Sequence, residues 1–584
     1  MSEVQVARVI DTRLEALSNN NVCYVVEEGA SVVNYTPLIS SSHSNQNTSF
    51  NLNNLAEVTC RDSRLVMGLN VTVTLSCTNT TGSNVNVIQA DNFGFKQYPL
   101  NRIISSIQHQ INQASYTLNT NDILDMIARV NLLPENANFY ENTMPDFIDS
   151  YANAIGSSVT PLASYTSNLF GDGVYKPRTL NYTVTGNTVN ANSSSNVVIN
   201  ATLYEPLITP FNNISDKNDR GLYGITGELI NIQYVVDIFN NMFAFVAPAG
   251  ITVNSNTVSL GNNSTLFTIY LTPSEGLIKE IPKQSVYHYN DYSIFSNNIG
   301  AVNAGQSANG GNVSSQVVSF TNIPQKIIIA ARLSNGSRTS ATPDKYLTIQ
   351  NLTCSFDNGQ PQLSNATTRQ YYDISKRNGL TMPASCFQQL CLNEAQVANG
   401  QNGIFGCGSV LIVDPALDLG IRAGDSAGSA GKFVFQVTNA NFKNNTGTNF
   451  ANCTLYVIGV TNAVLERMGS QYRNYLLSIP PNASENAKQL APVSHQAYMD
   501  ARHANLFLSG GGIGDWFKKA YNKAKQAVQW GIKNKEKLKE AYEKGKEAYD
   551  VGQKLLQESQ KVEGQGAYYG REVRPKKRMD LFFN

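Results

Sequence analysis

The feature that most limits what this chain can fold into is a two-residue alternation of apolar and polar side chains, repeated in short runs between clusters of Asn, Gly, Ser and Pro. Leu69, Val71, Val73 and Leu75 alternate with Asn70, Thr72, Thr74 and Ser76. Successive side chains of a strand point to opposite sides, so this is a strand with one wet face. Similar or more fully apolar runs occur at 197–204, 266–271, 326–331, 346–356, 433–437 and 455–460. Many short strands with turn-rich spacers predict β-sandwiches or jelly rolls. Helical spacing is rare in this region. Its best case is Asn121 as a cap before 122–129, ended near Pro134, which reads as a helix inserted in a long loop.

With 584 residues, of which 41% are hydrophobic, the chain can bury more than one large core. A Pro-bearing stretch, Ile281-Pro282-Lys283-Gln284, separates the run ending at Leu271 from a new strand-like stretch at 285–295. The predicted organisation is therefore a first jelly roll at 1–282, a second with a trailing linker at 283–511, and a segment of different character at 512–584.

Charge separates that last segment from the rest. Residues 512–584 hold 17 Lys and Arg against 10 Asp and Glu, a net of +7, and the preceding 511 residues carry a net of −6. A body this poor in charge and rich in Asn, Ser and Thr suits broad contacts in which few charges must be desolvated. The start, Met1-Ser2-Glu3, has no charged-then-apolar leader, and no run of 18 apolar residues occurs, so synthesis as a soluble cytosolic chain is expected. On that reading the Asn-x-Ser/Thr triplets, such as those at Asn47, Asn70 and Asn181, follow from composition and do not predict glycans.

Residues that could carry chemistry are scattered. The eight cysteines, at 23, 60, 77, 354, 386, 391, 407 and 453, form no C-x-x-C pair and read as buried reduced thiols in strands. The five histidines make no zinc pattern. Gly424 to Lys432 superficially suggests a phosphate loop, but the Walker spacing fails and Phe433 stands where Ser or Thr is needed. Gly406-Cys407-Gly408-Ser409 lacks the strand-to-helix context of a nucleophile elbow. No catalytic residue, cofactor or metal is expected. The rival reading from another class is a β-sandwich lectin or receptor-binding protein that grips a ligand with loops such as 296–312; a β-fold glycoside hydrolase is a further one.

Several tracts point further. In the first half they are Leu203-Tyr204-Glu205-Pro206-Leu207, Pro210-Phe211, Gly221-Leu222 and Leu229-Ile230-Asn231-Ile232-Gln233-Tyr234. In the second they are Ile323-Pro324-Gln325-Lys326-Ile327, Thr342-Pro343-Asp344 leading into Leu347 to Leu352, Tyr372-Asp373-Ile374-Ser375 with Asn378-Gly379, and Asp418-Leu419-Gly420-Ile421-Arg422 with Gly431-Lys432-Phe433. Spread in order along the chain, they resemble the major capsid proteins of virophages, of the Mavirus type, and of the related Polinton/Maverick elements, in the adenovirus-like double-jelly-roll lineage. The resemblance implies two jelly rolls side by side, loops at the outer end and termini facing inward. It also implies a homotrimer forming a pseudo-hexagonal capsomer in an icosahedral double-stranded DNA virus shell, with neighbouring capsomers and a penton protein as partners. Three chains with two similar barrels each give six near-equivalent corners, so a trimer can tile a hexagonal lattice. Obligate contacts of this kind bury more than about 2,000 Å².

The resemblance also bears on the chain's last part. Leu508-Ser509-Gly510-Gly511-Gly512 fits the preference of adenovirus-type maturation cysteine proteases, whose narrow groove needs an extended, side-chain-poor substrate. A cut after Gly511 would release the basic segment. There, Trp516, Phe517, Ala520, Tyr521, Ala524 and Val528 follow three- and four-residue spacing, with Lys518, Lys519, Lys523 and Lys525 elsewhere on the turn. Such a basic amphipathic stretch suits another capsid protein or its own copies, an internal anionic membrane, or packaged DNA.

Overall fold

The alternation at 69–76 is the middle of a longer strand, Val66–Asn79, whose side chains at Met67, Leu69, Val71, Val73, Leu75 and Cys77 are all buried. Fully burying an apolar side chain of this size contributes roughly 1.5–3 kcal/mol, so one such strand is enough to fix which face of its sheet points inward. The computed structural model describes residues 30–479 apart from 54–59, 63–64, 90–91, 96–98, 121–122, 124–125, 128–181, 210, 212–221, 246, 274–283, 341–344, 381, 391–404, 422–426, 447–448 and 477.

Strand Val66–Asn79 pairs antiparallel with Ser194–Pro206 on one side and Ile251–Pro273 on the other. With Tyr182–Thr185, Cys60–Arg61, Leu222–Tyr223 and Ala30–Ile39 they make a seven-stranded sheet. A five-stranded sheet, Ser42–His43, Asn47–Asn53, Gly227–Tyr234, Ile104–Ile111 and Ala114–Asn119, faces it across a core that includes Phe50, Leu69, Ile107, Ile199 and Ile230. Strands far apart in sequence lie side by side throughout, with Val33 opposite Leu271 and Leu69 opposite Leu203. These crossovers are those of a jelly roll.

The second half repeats the plan. Gln284–Val302, Phe450–Met468, Lys326–Leu333 and Leu411–Val413 form one sheet, with Gln471–Leu476 added at the lower part of Phe450–Met468. Val318–Asn322, Ala430–Lys443 and Thr348–Phe356 form the facing sheet. Their side chains meet in one core, where Phe320 sits against Gly459 so closely that a Cβ there would come within 2.4 Å of the ring. The expected fold class, two tandem jelly rolls of mainly β structure, is what the chain adopts. The expected boundary at 282/283 lies outside the described residues.

Ala30 is opposite Pro273, just before the link to the second roll. Ile479 adds a parallel bridge beside Ser429, next to the turn that joins Val318–Asn322 to Lys326–Leu333. Of the helix expected after Asn121, Met126 and Ile127 are described as helical, with Ile127 N donating to Ile123 O. Ile123 and Met126 are buried in the core of the second roll, so this first-half loop packs across to it.

A ten-residue helix and two one-turn ones, Ala384–Phe387 and Pro415–Asp418, are not legible in the sequence. Thr368–Arg377 starts at a capping box in which Thr367 and Gln370 satisfy each other's backbone N–H groups, and the Thr-x-x-Gln spacing was its only signal. The helix buries Tyr371, whose hydroxyl bonds the backbone of Leu352 in the neighbouring strand. It also lines up two of the family-like tracts, because Asp418 accepts hydrogen bonds from Asn378 Nδ2 and the Asp414 backbone N–H and pairs with Arg377. The six described cysteines are buried and outside any disulfide, four of them in strands, with Cys386 in a short helix and Cys407 in a loop.

Candidate assembly surface and inter-roll joint

Two places in the body stand out by their chemistry. The first is the joint between the rolls. Ile111, Ala114, Leu222 and Ile225 of the first roll form one buried cluster with Tyr289, Ala463, Leu465 and Tyr472 of the second. Aromatic rings tie it together: Phe211 lies 5.0 Å from Tyr289 and Tyr116 lies 5.6 Å from Tyr289, both edge to face. Around the rings, Asn112 Nδ2 donates to Ser470 O, Asn474 Nδ2 donates to Ser115 O, and the Tyr472 hydroxyl donates to Tyr223 O. A joint with an apolar centre and a satisfied polar rim holds two sandwiches as one body.

Beneath these rings sits a buried charge cluster that the sequence did not announce. Arg61, on the short strand Cys60–Arg61, places Nη2 2.9 Å from Glu228 Oε1, and His109 Nε2 lies 2.5 Å from the same oxygen. All three side chains are essentially inaccessible to solvent. Burial alone would push the Glu228 carboxyl up, but the Arg61 charge and the His109 hydrogen bond outweigh it and hold the group below its ordinary value. Burial dominates at His109 and lowers it despite Glu228.

A second buried carboxylate explains one of the family-like tracts. Glu205 accepts hydrogen bonds from the backbone N–H groups of Leu100 and Asn101 and from Asn101 Nδ2. It thereby pins the turn that leads into strand Ile104–Ile111. Burial pushes its carboxyl up to about 7 against those three donors.

The second place is the outer face of the seven-stranded sheet. Tyr35 and Ile39, 76% and 63% exposed, share this face with Val33, Tyr204 and Phe267. Register puts them together: Tyr35 is opposite Ile269, Pro37 opposite Phe267, and Ile39 opposite Thr265, which is in turn opposite Gly68 and then Tyr204. The Tyr204 and Phe267 rings lie 5.8 Å apart over Gly68, where a Cβ would come within 2.9 Å of Tyr204. Glycine there lets the rings close over the strand. Along the strands of this sheet the only Asp, Glu, Lys or Arg side chains are Arg61 and Glu205, both buried. A broad face with no exposed charge and several exposed aromatic and branched side chains is what a protein surface carries where another protein covers it.

The sequence-predicted site residues lie elsewhere. Leu508 to Gly512 and the Trp516, Phe517, Ala520, Tyr521, Ala524 and Val528 face are outside the described residues. The Gly406 to Ser409 stretch is structural: Ser409 Oγ donates to Phe387 O and accepts from Ile349 N. Among the described residues no group of three His, Cys, Asp or Glu side chains is placed to hold a metal.

Paired jelly rolls joined by a buried seam define the class of double-jelly-roll shell proteins. The family model for the first domain of the Sputnik virophage major capsid protein matches residues 2–245, and that for the C-terminal domain of major capsid protein V20 matches residues 289–463. The chain belongs to the virophage major capsid protein family, and its role is structural. The putative capsid protein V20 of Sputnik virophage is 25% identical over 456 residues, 74% of this chain and 73% of that one. The cryo-EM structure of the Sputnik virophage superposes with a TM-score of 0.70 at 21% identity, covering 84% of this chain and 97% of that one. The crystal structure of the mavirus major capsid protein gives 0.65 at 16% identity, covering 84% and 99%. The family match favours the capsid reading over both the lectin and the glycoside-hydrolase readings.

Proposed function

We propose that this protein builds the shell as trimeric, pseudo-hexagonal capsomers in which the uncharged outer face of the first roll meets the second roll of the next copy. The observation that supports it most directly is that face itself. Three chains with two rolls each alternate first and second roll around a threefold axis. Each first roll then has two second-roll neighbours, one through the joint within the chain and one in the next chain. The face bearing Tyr35, Tyr204 and Phe267 is free of the joint and can be desolvated without stripping water from a charge. Purified protein is expected to have the mass of three chains in solution and a hexagonal outline in electron microscopy. Tyr35→Asp combined with Tyr204→Asp changes two exposed side chains, where substitutions usually shift stability by less than about 0.5 kcal/mol. The double variant should fold and run as a monomer. A trimer that survives both charges would remove this face from the proposal.

The same reading gives the tail an assembly role, followed by a cut after Gly511 by a viral maturation cysteine protease. Its support is the Leu508-Ser509-Gly510-Gly511-Gly512 sequence and the change from a net −6 body to a net +7 segment. Mass spectrometry of the protein from virions should find a C-terminus at Gly511, and a chain ending at 511 should assemble less efficiently than the full chain. Intact C-termini in virions, or equal assembly by both chains, would count against it.

A further inference from the structure

We propose that the Arg61–Glu228–His109 cluster, carried by three strands of the first roll directly under the joint, is an acid-sensitive latch on that joint, loosened when His109 takes up a proton while each sandwich keeps its own core. The geometry assigns His109 its neutral form. Nε2 faces the Glu228 carboxylate and donates to it, whereas Nδ1 is buried without a hydrogen-bond partner. The Phe211 ring, which belongs to the joint, lies 5.3 Å from the imidazole. A proton on Nδ1 would bury an N–H with no acceptor, a cost of the kind carried by any unsatisfied buried donor. It would also place a second full positive charge on a carboxylate that Arg61 already neutralises.

The other ionisable groups around the cluster offer no relief. Tyr270, on the adjoining strand, and Tyr472, from the second roll, sense both Arg61 and Glu228. Tyr287 and Arg467 of the second roll act on Tyr472, and Tyr223 faces Cys60, Tyr287 and Arg467. Asp62 meets Arg61 Nη1 through its backbone carbonyl, and its charge acts on Cys60. Glu228 is the carboxylate that His109 touches, and Arg467 adds a further cation on the second-roll side. Repulsion therefore builds at the face between the rolls, close to Phe211, Tyr289 and Tyr472, and away from the cores around Val73 and Ile458.

The direction with pH follows from the neutral histidine. Its proton affinity in the folded chain lies below the ordinary 6.5, so the folded state binds fewer protons than the unfolded one in this range. The stabilisation is fully present above pH 6.5 and is lost as pH falls below it. Glu205 titrates in the same region with the opposite sign, because its folded carboxyl is raised to about 7 and its contribution is lost as pH rises. The test therefore uses a difference between two proteins that both keep Glu205.

Full-length protein and the His109→Gln variant, whose amide can still donate to Glu228 but cannot take a proton, are melted at pH 7.5 and pH 5.5. The unchanged protein should lose roughly 1–2 °C more than the variant over that interval. In the unchanged protein, acid should also speed hydrogen exchange at 111–114, 222–225 and 470–474 after correction for intrinsic rates, with 69–75 and 455–460 unaffected. Equal pH responses in the two proteins would overturn the latch. Should the variant fail to fold, the exchange measurement on the unchanged protein decides alone, and no selective rise at the joint overturns it.

Discussion

Arg61→Ala is expected to cost the body about 3–5 kcal/mol at neutral pH, the range found when one partner of a buried ion pair is removed. The reason lies in what stays behind. Glu228 keeps only His109 as a partner, with Oε2 buried and accepting nothing. Arg61 also donates from Nη1 to Asp62 O, so its loss frees a backbone carbonyl near the joint. The deficit should appear as a lower denaturant midpoint, together with faster exchange at 111–114 and 222–225. An apolar replacement of the whole cluster, Arg61→Met with Glu228→Leu and His109→Leu, leaves no charge uncompensated and should recover most of that loss. If Arg61→Ala shifts stability by less than about 1 kcal/mol, the cluster does not hold the rolls together and the latch loses its basis.

How far the sequence disclosed this molecule depends on whether a feature is written locally. Strands Val66–Asn79 and Lys326–Leu333 are legible because burial repeats every second residue or runs continuously, and both patterns survive in a short window. The uncharged outer sheet was visible only as a charge-poor composition. Its apolar half comes into being when Ala30–Ile39 pairs with a strand more than 200 residues away, which no window shows. The same holds for the charge cluster: Arg61, His109 and Glu228 are single residues in three separate strands and meet only when the two sheets of the first roll pack together. Glu205 lies between. It stood inside a tract that resembled the family, yet its role, capping the turn at Leu100 and Asn101, follows only from coordinates.

If the proposed trimer contact holds, the uncharged sheet and the ion cluster under the joint divide the labour between assembly and folding. A contact between separate chains forms from solvated surfaces, so the face that makes it is best free of charges that would need desolvating. The ion cluster under the joint forms as the first roll folds, where a buried pair can be assembled once and its partners fixed by the strands that carry them. The two kinds of chemistry sit on opposite demands, and the first roll carries both.

Gly408→Ala should be among the most damaging single changes in the second roll, at about 3 kcal/mol or more, although it adds one methyl group. Gly408 has φ +98°, a conformation that side-chain-bearing residues rarely adopt, and a Cβ there would lie 2.1 Å from the Tyr346 carbonyl oxygen. The carbonyl cannot retreat easily, because Tyr346 N donates to Cys407 O and Gln389 Nε2 donates to that same Tyr346 oxygen. Gly406 is equally confined, with a Cβ position 2.5 Å from Cys386 Cα. The Gly-Cys-Gly-Ser sequence that superficially suggests a reactive elbow is thus a place where three backbone segments approach too closely for side chains, and Cys407 between them is buried. Thermal melting of Gly408→Ala should show the loss, whereas Cys407→Ala, which keeps both glycines and removes only the thiol, should retain the fold at a smaller cost. If the two variants were equally stable, the close approach at Tyr346 would not be what fixes this loop.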